Sequence, residues 1–404
     1  MNQTDNNDVR MIDRQDNKTT NISEEEIERA YKDFESGSEQ LHLHSLKFFV
    51  DALKSDNNKM IVTKYGKELI GFFLIMSEHG LTDEIQALAL ICVSLCYEHQ
   101  ILTLKAISKP EYIGFLINKK LMHSIPEANA VLHILSTIVS EKSKFVEIIL
   151  GYDIFKIIPN LPPETEFGEL VDVLLQQIVN VTPEINSIVS LIPMMLSSPN
   201  SVNVCHGLQC VNILISRNWN CFDFDGFHST FPQFLLSENP AIASTAFSLL
   251  RKFPPNEDDI KAVLQRISNG GNISLHAISY FIDTQQLWEN SPSPDLFNCI
   301  ISCISKSKYN VVSRALKLLM PSLKASGLKF DSSQVQQLCN FLSDKDVSQH
   351  ILPALCFIWD RIQTTDNTDW FTEEIGKYDS DIEELTSSSN DEIAELASKL
   401  LQIM

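Results

Sequence analysis

A small residue opening an amphipathic apolar run recurs along this chain at intervals of 31 to 43 residues. The runs begin at Ala87, Ala130, Gly168, Gly207, Ala246, Ala277, Ala315, Ala354 and Ala397. Ser45 heads an atypical copy, 42 residues before Ala87. A serine precedes most anchors by nine or ten residues, at Ser77, Ser197, Ser237, Ser268, Ser305 and Ser387. Polar turn formers fill the interval, as in Ser197-Ser-Pro-Asn200 and Ser237-Glu-Asn-Pro240. Each unit therefore reads as helix, tight turn, helix, with the small residue letting two helices approach closely. One such pair cannot bury its apolar face alone. Stacked neighbours must supply the core.

This periodicity decides how the length is read. A chain of 404 residues would ordinarily divide into two or three domains at about 150 residues each. The repeat predicts one elongated array instead, over residues 23–404. Only 13 glycines are present, and glycine supplies the positive φ angles of hairpin turns, so composition also favours helices. The predicted fold is all-α: an α-solenoid of about nine to ten repeats, the last of them acidic, over about 360–404. Residues 1–22 are polar and read as a disordered tail. Ser23, followed at the third position by Glu26, has the pattern of a capping box and predicts where helix begins.

Leu191-Ile-Pro-Met-Met-Leu-Ser197, Phe231-Pro-Gln-Phe-Leu-Leu-Ser237 and Ile157-Ile-Pro-Asn-Leu161 read as proline-opened helices. Proline in a first turn forfeits no hydrogen bond. With the spacing above, these segments resemble armadillo repeats, and the related HEAT type is similar. The resemblance covers roughly residues 40–404. It implies a non-catalytic scaffold or adaptor that docks a partner protein or extended peptide along a concave surface, with no cofactor. Importin-alpha-like transport adaptors are an alternative within that family, faintly echoed by Ser38-Glu-Gln-Leu-His-Leu-His-Ser-Leu46. Their ladder of Trp and Asn is missing here, and so is their basic N-terminal segment.

Charge excludes further classes. The formal net charge is -20. Residues 1–40 hold 11 acidic and 5 basic side chains, and residues 360–404 hold 12 and 3. Such acidity repels nucleic acid. No apolar run approaches the roughly 18–20 residues that span a bilayer, and the first ten residues lack a signal-peptide core. Nine cysteines, several inside apolar helical patterns, suit free thiols in a reducing compartment. A cytoplasmic or nuclear location is expected.

Phe222-Asp223-Phe224-Asp225-Gly226 resembles the first motif of haloacid-dehalogenase-type phosphatases. That resemblance implies Asp223 as nucleophile, Asp225 as acid/base, Mg²⁺ between them and Asp258-Asp259 as distant ligands. Phe227 stands where that family has Thr, and the motif should follow a buried strand. The bland reading is a loop turn, and no enzymatic activity is expected. Cys92/Cys96 and Cys299/Cys303 share helix faces at a spacing seen in zinc sites, but no set of four ligands converges in the pattern. Cys205-His206 are adjacent on one helix, which points them about 100° apart and rules out a dyad. Residues 185–222 contain no acid; their apolar run Ile188–Leu196 reads as inter-repeat core or as a Met-rich groove.

One window opposes the overall charge. From Leu296 to Phe330 there is no acid, yet Lys306, Lys308, Arg314, Lys317, Lys324 and Lys329 are present. Asn310 is the expected N-cap of a helix from Val311 to about Met320, with Arg314 and Lys317 on its polar arc. The six cations are the candidate partner-binding residues, suited to an acidic or phosphorylated segment. The chain's own Asp379, Asp381, Glu383 and Glu384 are one candidate ligand. The alternative is a solvated basic face.

Overall fold

The structure is a computed structural model that describes residues 22–54, 58–98, 107, 109–141, 143–178, 183–253, 255–284, 293–325, 327–363 and 368–404. The expected tail, but for Ile22, lies outside the described residues. Within them the secondary structure is helix and turn, with no strand. They fall into two compact units, Met1–Asp223 and Phe224–Met404.

In the first unit the helices are α1 (Glu24–Glu35), α2 (Glu39–Lys54), α3 (Asn58–His79), α4 (Asp83–Glu98), α5 (Pro110–Phe115) and α6 (Ile125–Glu141). There follow α7 (Phe145–Leu150), α8 (Ile154–Ile157), α9 (Gly168–Gln177), α10 (Pro183–Leu196) and α11 (Ser201–Ser216). Helix α5 runs into a π-helical turn, Leu116–Lys120. The first cap forms as expected: Glu26 N donates to Ser23 Oγ at 3.3 Å, and Ser23 N donates to Glu26 Oε2 at 2.8 Å. Helices α2, α4, α6, α9 and α11 pack successively against one another, while α1, α3 and α10 each pack on the helix that follows. Phe34, Phe49 and Phe73 meet edge-on, at centroid distances of 5.7 to 6.4 Å, and close the first helical layer.

The second unit comprises α12 (Phe224–Thr230), α13 (Pro232–Leu235), α14 (Pro240–Leu250), α15 (Glu257–Asn269), α16 (Ser274–Asp283) and α17 (Pro294–Lys306). It continues with α18 (Tyr309–Leu316), α19 (Leu319–Leu323), α20 (Ser332–Cys339) and α21 (Lys345–Ile362). The last helices are α22 (Asp369–Ile375), α23 (Asp379–Leu385) and α24 (Asp391–Leu401). Two ladders run through it. Helices α13, α15, α17, α20 and α22 pack in succession, and so do α14, α16, α18, α21 and α24. This is the packing order of stacked helix pairs.

The period read from sequence reappears in the long-range hydrogen bonds. Ser77 and Tyr112, Lys120 and Gln86, Asn203 and Thr165, Gln334 and Asn298, and Tyr378 and Asn340 bond across 34 to 38 residues. Where the anchor spacing shrinks to 31 residues, between Ala246 and Ala277, the bonds shrink with it. Arg251 reaches Asp283 across 32 residues, and Arg266 reaches Leu235 across 31. Ala130, Gly168, Gly207, Ala246, Ala277, Ala315, Ala354 and Ala397 are all buried. Ala87 is half-buried, and Ala89 takes the interior position. A Cβ on Gly168 would lie 2.9 Å from Asn203 Cα, so only glycine fits that helix crossing.

Some local expectations differ. Pro232 does open α13, but Pro193 lies inside α10, whose start is set by Pro183. Pro159 belongs to a 3-10 turn, Ile158–Asn160, that follows α8. The Ile188–Leu196 run is inter-repeat core, with Ile188, Leu191, Ile192 and Met195 buried.

Candidate partner-binding surface

The basic window folds as α17, α18 and α19 of the second unit. Ser293 caps α17, whose Leu296, Phe297, Ile300 and Cys303 are fully buried. Helix α18 buries Val311, Val312, Ala315 and Leu316, the apolar arc expected from sequence. Its ends differ from expectation. The N-cap is Lys308, with no side-chain cap bond, and Asn310 sits inside the first turn. The helix stops at Leu316 and a separate one begins at Leu319. Pro321 explains the break: its ring conflicts with the carbonyl four residues earlier, which belongs to Lys317, and it has no N–H to offer.

All six cations are exposed, but the fold does not gather them. Lys306 and Lys308 stand at the turn between α17 and α18, whereas Lys324 and Lys329 follow α19. Between these ends lie about 15 residues, or roughly 20 Å at helical rise. Lys306 also has a structural role, since its Nζ donates to the Ser268 carbonyl at 3.0 Å and so caps the C-terminus of α15. Beside Lys308, the Tyr309 phenol is hydrogen-bonded to the Asp344 side chain, which with the nearby Asp346 charge raises its pKa.

Arg314 and Lys317 keep the character expected of them. Arg314 projects from the exposed side of α18 and Lys317 is its exposed C-cap residue, and neither forms an ion pair among the described residues. Lys317 lies close enough to His350 on α21 to act on it. Burial first, and then the Lys317 charge, hold the His350 pKa below its ordinary value. Arg314 and Lys317 are thus exposed, and the half-buried His350 lies near Lys317. Sequence reading missed His350, although it falls about one repeat after Lys317.

The chain's own acidic stretch is not a loose ligand for this surface. Asp379–Leu385 is helix α23, packed on α24, and Glu384 pairs with Lys345 at 3.3 Å. The phosphatase-like motif also lacks its context. Asp223 follows a bend at Phe222, and Asp225 is in the first turn of α12, with no strand before either among the described residues. Asp259 closes the capping box whose N-cap is Asn256: Asp259 N donates to Asn256 Oδ1 at 2.8 Å, and Asn256 N donates to Asp259 Oδ2 at 3.0 Å. Among the described residues no group of three or more His, Cys, Asp or Glu could hold a metal ion, and no helix is long and apolar enough to cross a membrane. Cys92, Cys96, Cys205 and Cys303 are buried. His206 turns away from Cys205 and pairs with Asp172.

No protein-family model and no curated protein matches this chain. Among solved structures, an engineered protein is similar over 93% of this chain and 98% of its own, at 14% identity and a TM-score of 0.46. A structure of tubulin recruitment and assembly by microtubule polymerases with Tumor Overexpressed Gene domain arrays is similar over 91% of this chain and 92% of its own. Its identity is 10% and its TM-score 0.27. At these scores neither likeness carries an argument, and the fold rests on the packing described above.

Proposed function

We propose that this chain is a non-catalytic scaffold or adaptor of the helical-repeat type, which docks a protein or extended peptide. In this reading residues 23–404 form one solenoid of about nine to ten armadillo-like repeats, working in the cytoplasm or nucleus. The bound segment is acidic or phosphorylated and sits across Arg314 and Lys317. One observation carries the assignment of the site. In a chain of net charge -20, these two cations are exposed and make no ion pair among the described residues, on a helix whose opposite face is buried. Arg314 offers a planar fork suited to carboxylate or phosphate, and Lys317 a point charge.

Fluorescence anisotropy with an acidic phosphoserine peptide tests this reading. Wild type should bind, and Arg314→Glu/Lys317→Glu should weaken binding at least about tenfold, equivalent to about 1.4 kcal/mol. Added salt should weaken the wild-type complex, because exposed charges are screened over about 8 Å at physiological strength. Equal binding by wild type and the double variant at low salt would reduce the pair to a solvated face. Tighter binding of a basic nuclear-localisation peptide than of the acidic one would move the chain to the importin-alpha-like alternative.

A further inference from the structure

Helix α9 meets a histidine on each side. His133 on α6 places its Nδ1 3.2 Å from Glu169 Oε2, and His206 on α11 places its Nδ1 3.0 Å from Asp172 Oδ2. Glu169 and Asp172 are the only charged residues of α9. Three residues apart, they share one of its faces. Both histidines come from helices that pack on α9, so each of these two seams holds a titratable pair. Imidazole is the side chain whose charge ordinarily changes near neutrality.

An added Cβ on Gly168 would lie 3.0 Å from His206 Cβ, so the glycine lets His206 come in over α9. Gln176 Nε2 donates to Asp172 Oδ1 at 3.1 Å, which engages the second oxygen of that buried carboxylate. Burial alone disfavours a charge on His206, yet Asp172, with Glu169 and Gln209, outweighs it and raises the pKa above 6.5. On the same helix the Cys210 thiol stays protonated, its pKa pushed up by burial and then by Asp172. The packed helix α10 carries Glu184 as its one charged residue, on a groove shared with α7 and α8. On α6 and the elements packed against it, Glu84 pairs with Lys47 and Asp83 faces His123. The buried Glu127 there meets Lys120 at 3.2 Å and also His123, while Lys119 and Glu147 are exposed.

A charged imidazole bonds a carboxylate more strongly than a neutral one, and stacked repeats are held together by nearest-neighbour contacts. The geometry points to a proton-operated clamp on α9: charging His133 and His206 tightens the α6–α9 and α9–α11 seams, so mild acid stiffens this stretch of the first unit. The sign follows from His206, whose contribution is complete below 6.5 and is lost as pH rises through its higher folded value. The second unit supplies the contrast. Its half-buried His276 and His350 are held below the ordinary value by burial first, and then by Arg251 and Lys317 respectively. Protons therefore do not tighten α16 or α21. The clamp does not involve peptide docking at Arg314 and Lys317, and its test does not depend on that reading.

Hydrogen exchange of the full chain, read by mass spectrometry and corrected for the intrinsic pH dependence of amide exchange, tests this. From about pH 8 to about pH 6, the window in which imidazole charges, amides of α9 and α11 should gain protection severalfold. Those of α16 and α21 should gain none. His133→Gln/His206→Gln keeps a hydrogen-bond donor at each seam but cannot titrate, so its α9 should be equally protected at both pH values. His44→Gln, at an exposed histidine of α2, should respond as wild type does. Wild-type protection of α9 that is flat or falls on acidification would overturn the clamp. So would a gain shared equally by α16 and α21, or a double variant, folded by circular dichroism, whose α9 still gains protection. Should the double variant not fold, the wild-type contrast between α9 and α16 decides the matter alone.

Discussion

His206 Nδ1 lies 3.0 Å from Asp172 Oδ2 across the seam between α9 and α11, with Asp172 buried and His206 mostly so. Burial by itself pushes the imidazole pKa down, but the hydrogen bond and charge of Asp172, aided by Glu169, outweigh it and raise the value above 6.5. The folded state therefore prefers the charged imidazole. A raised pKa contributes stability that is complete below the unfolded value and is lost as pH rises through the folded one. The melting-temperature gap between wild type and His206→Gln should be widest below pH 6.5 and narrow on the alkaline side. A gap independent of pH would show that the pair acts without titrating.

Lys120→Ala strands the Glu127 carboxylate in the interior. Breaking a buried pair from one side costs about 3–5 kcal/mol, so thermal unfolding should start well below the wild-type temperature. Replacing both partners, as Lys120→Met/Glu127→Leu, should recover most of that loss. A double variant as unstable as the single one would mean that Gln86 and His123 need the charges.

Two glycines should respond in opposite ways to the same change. Gly168→Ala places a methyl group 2.9 Å from Asn203 Cα and 3.1 Å from Asn203 Oδ1. Overpacking of this kind costs about 1–3 kcal/mol, and here it also threatens the 2.8 Å bond from Gly168 N to Asn203 Oδ1. Gly71 sits within α3 with nothing inside 4 Å of an added Cβ. Gly71→Ala should stabilise by about 0.5–1 kcal/mol through helix propensity. Chemical denaturation of the two variants checks both signs.

Arg266 is 2% exposed and spends its donors on α13's end: Nε to the Leu235 carbonyl at 3.1 Å and Nη2 to the Ser237 carbonyl at 2.7 Å. Arg266→Lys should not restore the stability that Arg266→Ala loses, because an ammonium cannot reproduce the planar fork. Glu238, which Arg266 also meets at 3.2 Å, is 84% exposed. Glu238→Ala should shift stability by less than about 1 kcal/mol. Circular-dichroism melting of the three variants separates the carbonyl bonds from the ion pair.

Helical periodicity, small-residue anchors and turn composition are local properties, and they were legible from the chain. The apolar arc Val311–Leu316, the Ser23–Glu26 cap and the repeat spacing needed only the 3.6-residue period and the rules of helix ends. The shortened unit between Ala246 and Ala277 was visible as a spacing before it appeared as a bond from Arg251 to Asp283. Helix breaks were less legible where proline acted at a distance: Pro321 breaks the helix at Lys317, four residues upstream, while Pro193 is accommodated inside α10.

What tertiary structure decided is which side chains meet across repeats, because residues 34 to 42 apart become neighbours only when helix pairs stack. A window of six cations therefore reads as one patch in sequence, yet Lys306 becomes a capping lysine, while Arg314 and Lys317 are exposed with no ion pair among the described residues. His350 comes near Lys317 from the next helix of its ladder. Glu169 and Asp172 look like ordinary helix acids in sequence. Only the stacking of α6, α9 and α11 gives them histidine partners, by bringing His133 and His206 within 3.2 Å of their carboxylates.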